Sequence, residues 1–215
     1  MHRAIIFDFD GLLVDTETAI YESWQEVYCR HGQSLELATY KKCVGSDFGQ
    51  FSPETELENR TGKAFDWSTI NMEREQIIRD RLAAQDARPG VREFIKKARS
   101  QGLHLAVASS SSRAWVAGWL EKLDILKHFH ALRNRDDVAR IKPHPDLFLA
   151  AAEALGIPPG ESLVMEDSEN GLRAAKAAGI PCAIVTNPVT AGGDFSGALL
   201  QAECFTARCI RDLVD

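Results

Sequence analysis

Short, unbroken apolar runs alternate with amphipathic stretches along most of this chain, and that rhythm constrains the fold more than any other feature. Residues 3–9 (RAIIFDF) form a β-branched and aromatic run; 103–108 (LHLAVA), 162–165 (SLVM) and 182–185 (CAIV) repeat it, and a weaker one lies near 129–132. Runs this short and continuous suit strands buried on both faces. Between them, 91–101 ends before Gly102, 145–155 begins with Pro145 and ends before Gly156, and 169–178 ends before Gly179. Those are the boundary residues of helices. In 113–123, Trp115, Val116, Trp119, Leu120 and Leu123 make one apolar stripe, which reads as core. Strand and helix in alternation predict an α/β fold with a parallel sheet covered on both faces.

Residues 15–88 break the rhythm and contain no convincing strand. Ile20, Trp24, Val27 and Tyr28 fall on one face of a helix over 17–30, and three more helical stretches are expected near 34–43, 53–61 and 66–84. Pro89-Gly90 punctuates the return to alternation. A helical insert therefore sits between the first strand and the rest of the α/β core.

With 215 residues the chain can bury one sizeable core and a smaller second unit. No run approaches a membrane span and no signal peptide is expected. The five cysteines are scattered with no C-x-x-C pair, which suits reduced thiols in the cytoplasm. The net charge is −6; residues 15–88 hold 9 Lys/Arg against 14 Asp/Glu and the remainder 16 against 17, so neither part offers a basic face to nucleic acid. No membrane partner is expected either. A monomer is the expectation, with an oligomer the alternative.

In an open α/β sheet, ligands bind beyond the carboxyl ends of the strands. Asp8 and Asp10 follow the first run, the serines Ser109–Ser112 the second, Lys142 (in RIKPHPD) the weak third, and Glu166-Asp167 (in VMEDSENG) the fourth. Two carboxylates 4 Å apart at an effective dielectric near 20 repel by roughly 4 kcal/mol. Four carboxylates and one lysine thus leave an excess of negative charge that a divalent cation would balance. All-oxygen ligands with few carboxylates favour Mg²⁺, which often shares a substrate phosphate. Ser109, the N–H groups after it, starting at Ser110, and Lys142 could donate to that phosphate. A carboxylate beside metal and phosphate can attack phosphorus, and a second one can transfer protons.

D-x-D-G in FDFDGLLVDTE, a strand ending in serine (VASS), KPHPD and EDSENG resemble, in order, the four motifs of haloacid dehalogenase-like hydrolases. The resemblance spans residues 5–190. It implies a Rossmann-like core over 1–14 and 89–215, with the insert 15–88 as a helical cap of the β-phosphoglucomutase-like subgroup. It makes Asp8 the nucleophile and a Mg²⁺ ligand, and Asp10 the general acid and base with its backbone carbonyl on the metal. Ser109 and Lys142 would hold the phosphoryl group, Asp167 the metal, and Glu166 either the metal or the groups around it. The substrate would be a small phosphorylated metabolite, a sugar phosphate or similar.

Dehalogenases of this fold lack the second aspartate, so Asp10 points to phosphate esters. Sugar phosphomutases of the subgroup have a cap histidine where this chain has Ile20, and an arginine shortly after a cap glycine. Here Gly45 is followed by no arginine until Arg60. Hydrolysis is therefore expected; the alternatives are a sugar phosphomutase and a non-catalytic phosphate- and metal-binding module. Substrate choice would rest on the helix after Asp15 and the Gly45–Gln50 turn. Ser111 or Ser112 is expected to cap the next helix, Ser168 and Asn170 to make local bonds, and His144 to be exposed. Trp24 and Phe48 could equally be cap core or pocket lining.

Overall fold

The computed structural model describes residues 2–46 and 51–214. The chain runs through β1 (Ala4–Phe7), then four helices: α1 (Glu17–Arg30), α2 (Leu37–Tyr40), α3 (Pro53–Thr61) and α4 (Trp67–Arg81). It continues through α5 (Val91–Ser100), β2 (His104–Ala108), α6 (Arg113–Lys122), β3 (Ala131–Arg133) and α7 (Asp146–Leu155). β4 (Ser162–Glu166), α8 (Glu169–Ala177), β5 (Cys182–Val185), β6 (Leu200–Ala202) and α9 (Arg208–Arg211) complete it. The six strands form one sheet in the order β3-β2-β1-β4-β5-β6, and every pairing is parallel.

The continuous apolar runs become central strands because both faces are covered. Ile5, Phe7, Leu105, Val107, Leu163 and Met165 pack on one side with residues of α5 and α6. Ile6, Ala106, Ala108, Val164 and Ile184 pack on the other with α7 and α8. Consecutive residues face opposite ways, so only an unbroken apolar run fills both cores. β6 was not anticipated: Leu200-Gln201-Ala202 is a partly exposed edge strand with no β-branched residue.

The insert folds around its own apolar cluster, in which Trp24, Tyr28, Tyr40 and Leu57 are buried and Val189 of the core joins them. Trp24 is thus cap core; its ring meets Trp67 edge-on at 6.1 Å and carries the Arg74 guanidinium 3.4 Å above its face. Helix starts follow their caps: Ser52 precedes Pro53, Asp66 accepts from Thr69 N–H, and Ser112, rather than Ser111, caps α6. The expected helix near 34–43 is the short α2 followed by a 3₁₀ turn over Lys41–Cys43. No helix among the described residues is long and apolar enough to cross a membrane.

Candidate active site

Strand register assembles the site. Phe7 pairs with Val107 on one side and Met165 on the other, so Asp8, Ser109 and Glu166-Asp167 emerge together at the carboxyl edge. Lys142, on the loop after β3, is fully buried there. Its ammonium donates to Oδ1 of Asp8 and, at 2.7 Å, to Oε1 of Glu166, and lies 4.7 Å from the Phe148 ring centre.

Glu166 is fully engaged. Its Oε2 accepts from the N–H groups of Asp167 and Ser168, both at 2.8 Å, and from the Ser168 hydroxyl at 3.0 Å. The carboxylate lies against α8, where a Cβ on Gly171 would come within 1.8 Å of Oε1, so glycine is required. Ser168 also caps α8 by accepting from Gly171 N–H. Asp167 accepts at Oδ2 from the Asn187 amide, 2.6 Å away, and the same amide donates to the Gly11 carbonyl at 3.1 Å. A Cβ on Gly11 would approach Asp167 Oδ2 to 2.4 Å, and φ there is +78°, so the glycine of D-x-D-G is both sterically and conformationally required.

Asp10 stands apart from that cluster and collects four side-chain donors. Oδ1 accepts from the Thr16 hydroxyl at 2.9 Å and the Trp115 indole N–H at 2.8 Å. Oδ2 accepts from the Ser111 hydroxyl at 2.6 Å and the Ser109 hydroxyl at 3.3 Å. The Ser110 hydroxyl instead reaches the cap, donating to the Gly45 carbonyl at 3.2 Å. A cleft of about 560 Å³ opens beside Asp10 between cap and core, lined by Ile20, Ile78, Arg79, Ser111, Trp115 and Arg135 among others.

Charge in this pocket is unbalanced. Burial, with Glu166 and Asp10 adding, pushes the Asp8 carboxyl up to about 8 against the pull of Lys142. Burial holds Asp167 well above the usual range, reinforced by Glu166, Asp8 and Glu17. Burial also opposes ionisation of Glu166, but Lys142 and the N–H donors outweigh it and hold that carboxyl below its ordinary value. The Lys142 ammonium faces both carboxylates, and Glu166, which also accepts from two N–H groups and a hydroxyl, is the one whose charged form is favoured. Asp8, Glu166 and Asp167 each bring a carboxylate oxygen to within 4.8 Å of the others. A buried all-oxygen set short of positive charge fits a hard divalent cation.

A family model for haloacid dehalogenase-like hydrolases matches residues 5–185. The chain belongs to that family. YhcW of Bacillus subtilis strain 168 is 42% identical over 190 residues, covering 88% of this chain and 86% of its own. A phosphorylated carbohydrates phosphatase of Thermotoga maritima is 30% identical over 180 residues, covering 83% and 82%. The crystal structure of a CbbY variant from Rhodobacter sphaeroides in complex with xylulose-(1,5)bisphosphate superposes with a TM-score of 0.76 at 26% identity, covering 95% of each chain.

In this hydrolase the structure brings Asp8, Lys142, Glu166 and Asp167 together and sets Asp10 beside Ser109. Trp115 packs on the core as expected and, beyond that expectation, puts its indole N–H on Asp10. Asn170 accepts locally from the Arg173 guanidinium at 3.3 Å, as expected, and its amide also donates across to the cap, to the Val44 carbonyl at 2.8 Å. His144 is exposed as expected. Phe48 and the Asp47–Gln50 part of the expected specificity turn lie outside the described residues.

Sequence reasoning missed Thr16, Glu17, Arg88 and Asn187. Asn187 was within reach, because it stands just beyond the carboxyl end of β5, where the strand-end rule also applies. Thr16 and Glu17 sit in the D-T-E step into the cap and carry no signal until the chain folds back. Arg88 lies directly before Pro89-Gly90. Its guanidinium donates to the carbonyls of Gly11 at 2.6 Å and Val185 at 3.2 Å, and to those of Thr186 at 2.5 Å and Glu203 at 3.2 Å.

Proposed function

We propose that this chain is a Mg²⁺-dependent phosphatase that hydrolyses a small phosphorylated metabolite, a sugar phosphate or a close relative, through an aspartyl-phosphate (acyl phosphate) on Asp8. The observation that carries the reading is the pairing of buried Asp8 with Lys142 in a carboxylate cluster, with Asp10 beside it on the wall of a cleft. The Thermotoga relative's named activity and the bisphosphate seated in the CbbY variant support phosphorylated sugars as the class.

Asp8 and Asp167, with the backbone carbonyl of Asp10, would hold Mg²⁺, while Glu166, its oxygens already engaged, would orient Lys142 and the start of α8. Bound Mg²⁺ would supply positive charge to the phosphoryl oxygens and to the Asp8 carboxylate. Asp8 attacks phosphorus in line as Asp10 protonates the departing ester oxygen. Ser109, the Ser110 N–H and Lys142 hold the phosphoryl oxygens throughout. Asp10 then takes a proton from the water that attacks the phosphorus of the acyl phosphate, and inorganic phosphate leaves with Asp8 regenerated.

Residues 1–14 and 89–215 would act as the core and 15–88 as the cap, which closes over the site and excludes bulk water. Ile20, on the cap wall of the cleft, cannot take up a proton as the mutases' histidine does, which favours hydrolysis over transfer between hydroxyls. Five free thiols and the acidic surface suit a cytoplasmic monomer with neither nucleic acid nor membrane as partner. The test is phosphate release from 4-nitrophenyl phosphate and a panel of phosphorylated metabolites with Mg²⁺. Turnover that disappears in Asp8→Asn, and falls about 10²–10⁴-fold in Asp10→Asn, is expected. Exchange of glucose 1- and 6-phosphates without net phosphate release would indicate a mutase. Metal affinity without any turnover would indicate a binding module.

A further inference from the structure

We propose that Trp115 is a positioning residue for the proton transfer carried by Asp10, an inference that rests on the phosphatase reading. The four donors to Asp10 fall into two kinds. The Ser109 and Ser111 hydroxyls, on Oδ2, belong to the loop that would hold the phosphoryl group, and a hydroxyl can turn to a new acceptor. When phosphate arrives, these two are the bonds that can be redirected to it, and Oδ2 is released toward the reacting oxygen.

The donors on Oδ1 are held. Thr16 is fully buried, and its hydroxyl oxygen also accepts from Gly11 N–H at 3.2 Å. The Trp115 indole N–H is a donor only and cannot turn without moving its ring. That ring meets Trp119 edge-on at 5.9 Å and packs on the core, and α6 carrying it starts from the Ser112 cap at the end of the phosphate loop. An acceptor-free donor 2.8 Å from Oδ1 cannot receive a proton from Asp10. Trp115 therefore keeps Oδ1 out of the transfer and points Oδ2 at the ester oxygen and later at water. The link spans 105 residues of sequence, from α6 just after the serines back to the first motif.

The test is the dependence of kcat/KM on leaving-group acidity, measured on 2,4-dinitrophenyl, 4-nitrophenyl, phenyl and sugar phosphates. A good leaving group needs no proton, whereas a sugar alkoxide does. In Trp115→Phe, kcat/KM is expected to fall about 10–100-fold on the sugar phosphate and under about 3-fold on the dinitrophenyl ester. Placing 3-benzothienylalanine at 115, which keeps the bicyclic shape and removes the N–H, should give the same split. Equal losses on every ester, or a benzothienyl variant that matches wild type, would overturn the proposal. Absence of turnover by wild type on all esters is a different result, because it removes the phosphatase reading itself.

Discussion

The Lys142 ammonium lies 2.7 Å from Oε1 of Glu166 and also donates to Asp8, with the lysine fully enclosed. Removing one partner of such a buried pair leaves uncompensated charge and costs about 3–5 kcal/mol. Lys142→Met should lower urea-unfolding stability by about that amount and reduce kcat at least about 10²-fold. Adding Glu166→Gln should restore part of the stability and none of the activity. A loss in the double variant equal to the sum of the losses in Lys142→Met and Glu166→Gln measured singly would show that the pair is not coupled.

Asn187 orients Asp167, since its amide bonds both that carboxylate and the Gly11 carbonyl. Groups that orient a metal ligand typically account for about 10–100-fold in affinity. Titration calorimetry of Asn187→Ala should show Mg²⁺ bound weaker by that factor, with the Mg²⁺ dependence of turnover shifted in parallel. Unchanged affinity would remove Asn187 from the site.

Glu17 and Asp8 set a pH dependence. Burial, then the Asp10 and Asp8 carboxylates, push Glu17 up to about 8, and burial pushes Asp8 to the same level. Between the ordinary carboxylate range and about pH 8, the folded state without metal holds protons that the unfolded state has released. Stability should therefore fall as pH rises through that window, by at most about 1.4 kcal/mol per unit for each group. Unfolding in chelator at pH 5, 6, 7 and 8 checks the sign. Glu17→Gln should flatten the slope, and Mg²⁺ should stabilise more at pH 8 than at pH 5.

Arg88 ties the linker between α4 and α5 to the core through four carbonyls, and its own N–H bonds the Leu13 carbonyl at 2.9 Å. Arg88→Ala would strip donors from partly buried carbonyls, at about 1–3 kcal/mol. The expected signature is a lower unfolding midpoint together with faster proteolysis near residues 82–90. A change in neither would mean water replaces the guanidinium without loss.

The fold was legible where burial is complete. β1, β2, β4 and β5 are enclosed on both faces, so their runs could not be polar, and the helices between them carry capping residues. β6 was not legible, because an edge strand of Leu200-Gln201-Ala202 is only partly buried and can be almost any sequence. The site followed the same division. Asp8, Ser109 and Glu166-Asp167 stand at strand ends, which in a parallel sheet share one edge, and Lys142 reaches that edge from the loop after β3. Ile20 was legible only by its place in the motif, and the cleft is what gives that place its meaning.

By itself the sequence determined the residue types at the strand ends and the order in which they arrive, and these specify a parallel sheet with a carboxylate-rich edge. Only the tertiary structure decided what each carboxylate faces. Asp10 receives the Trp115 indole from 105 residues away, Asp167 receives Asn187 from 20, and the Gly11 carbonyl receives Arg88 from 77. The reason is geometric. Local pattern reports whether a side chain is buried, whereas its partner depends on where distant helices and linkers cross the sheet edge. A tryptophan on an apolar stripe satisfies the pattern whether its N–H faces solvent or a carboxylate.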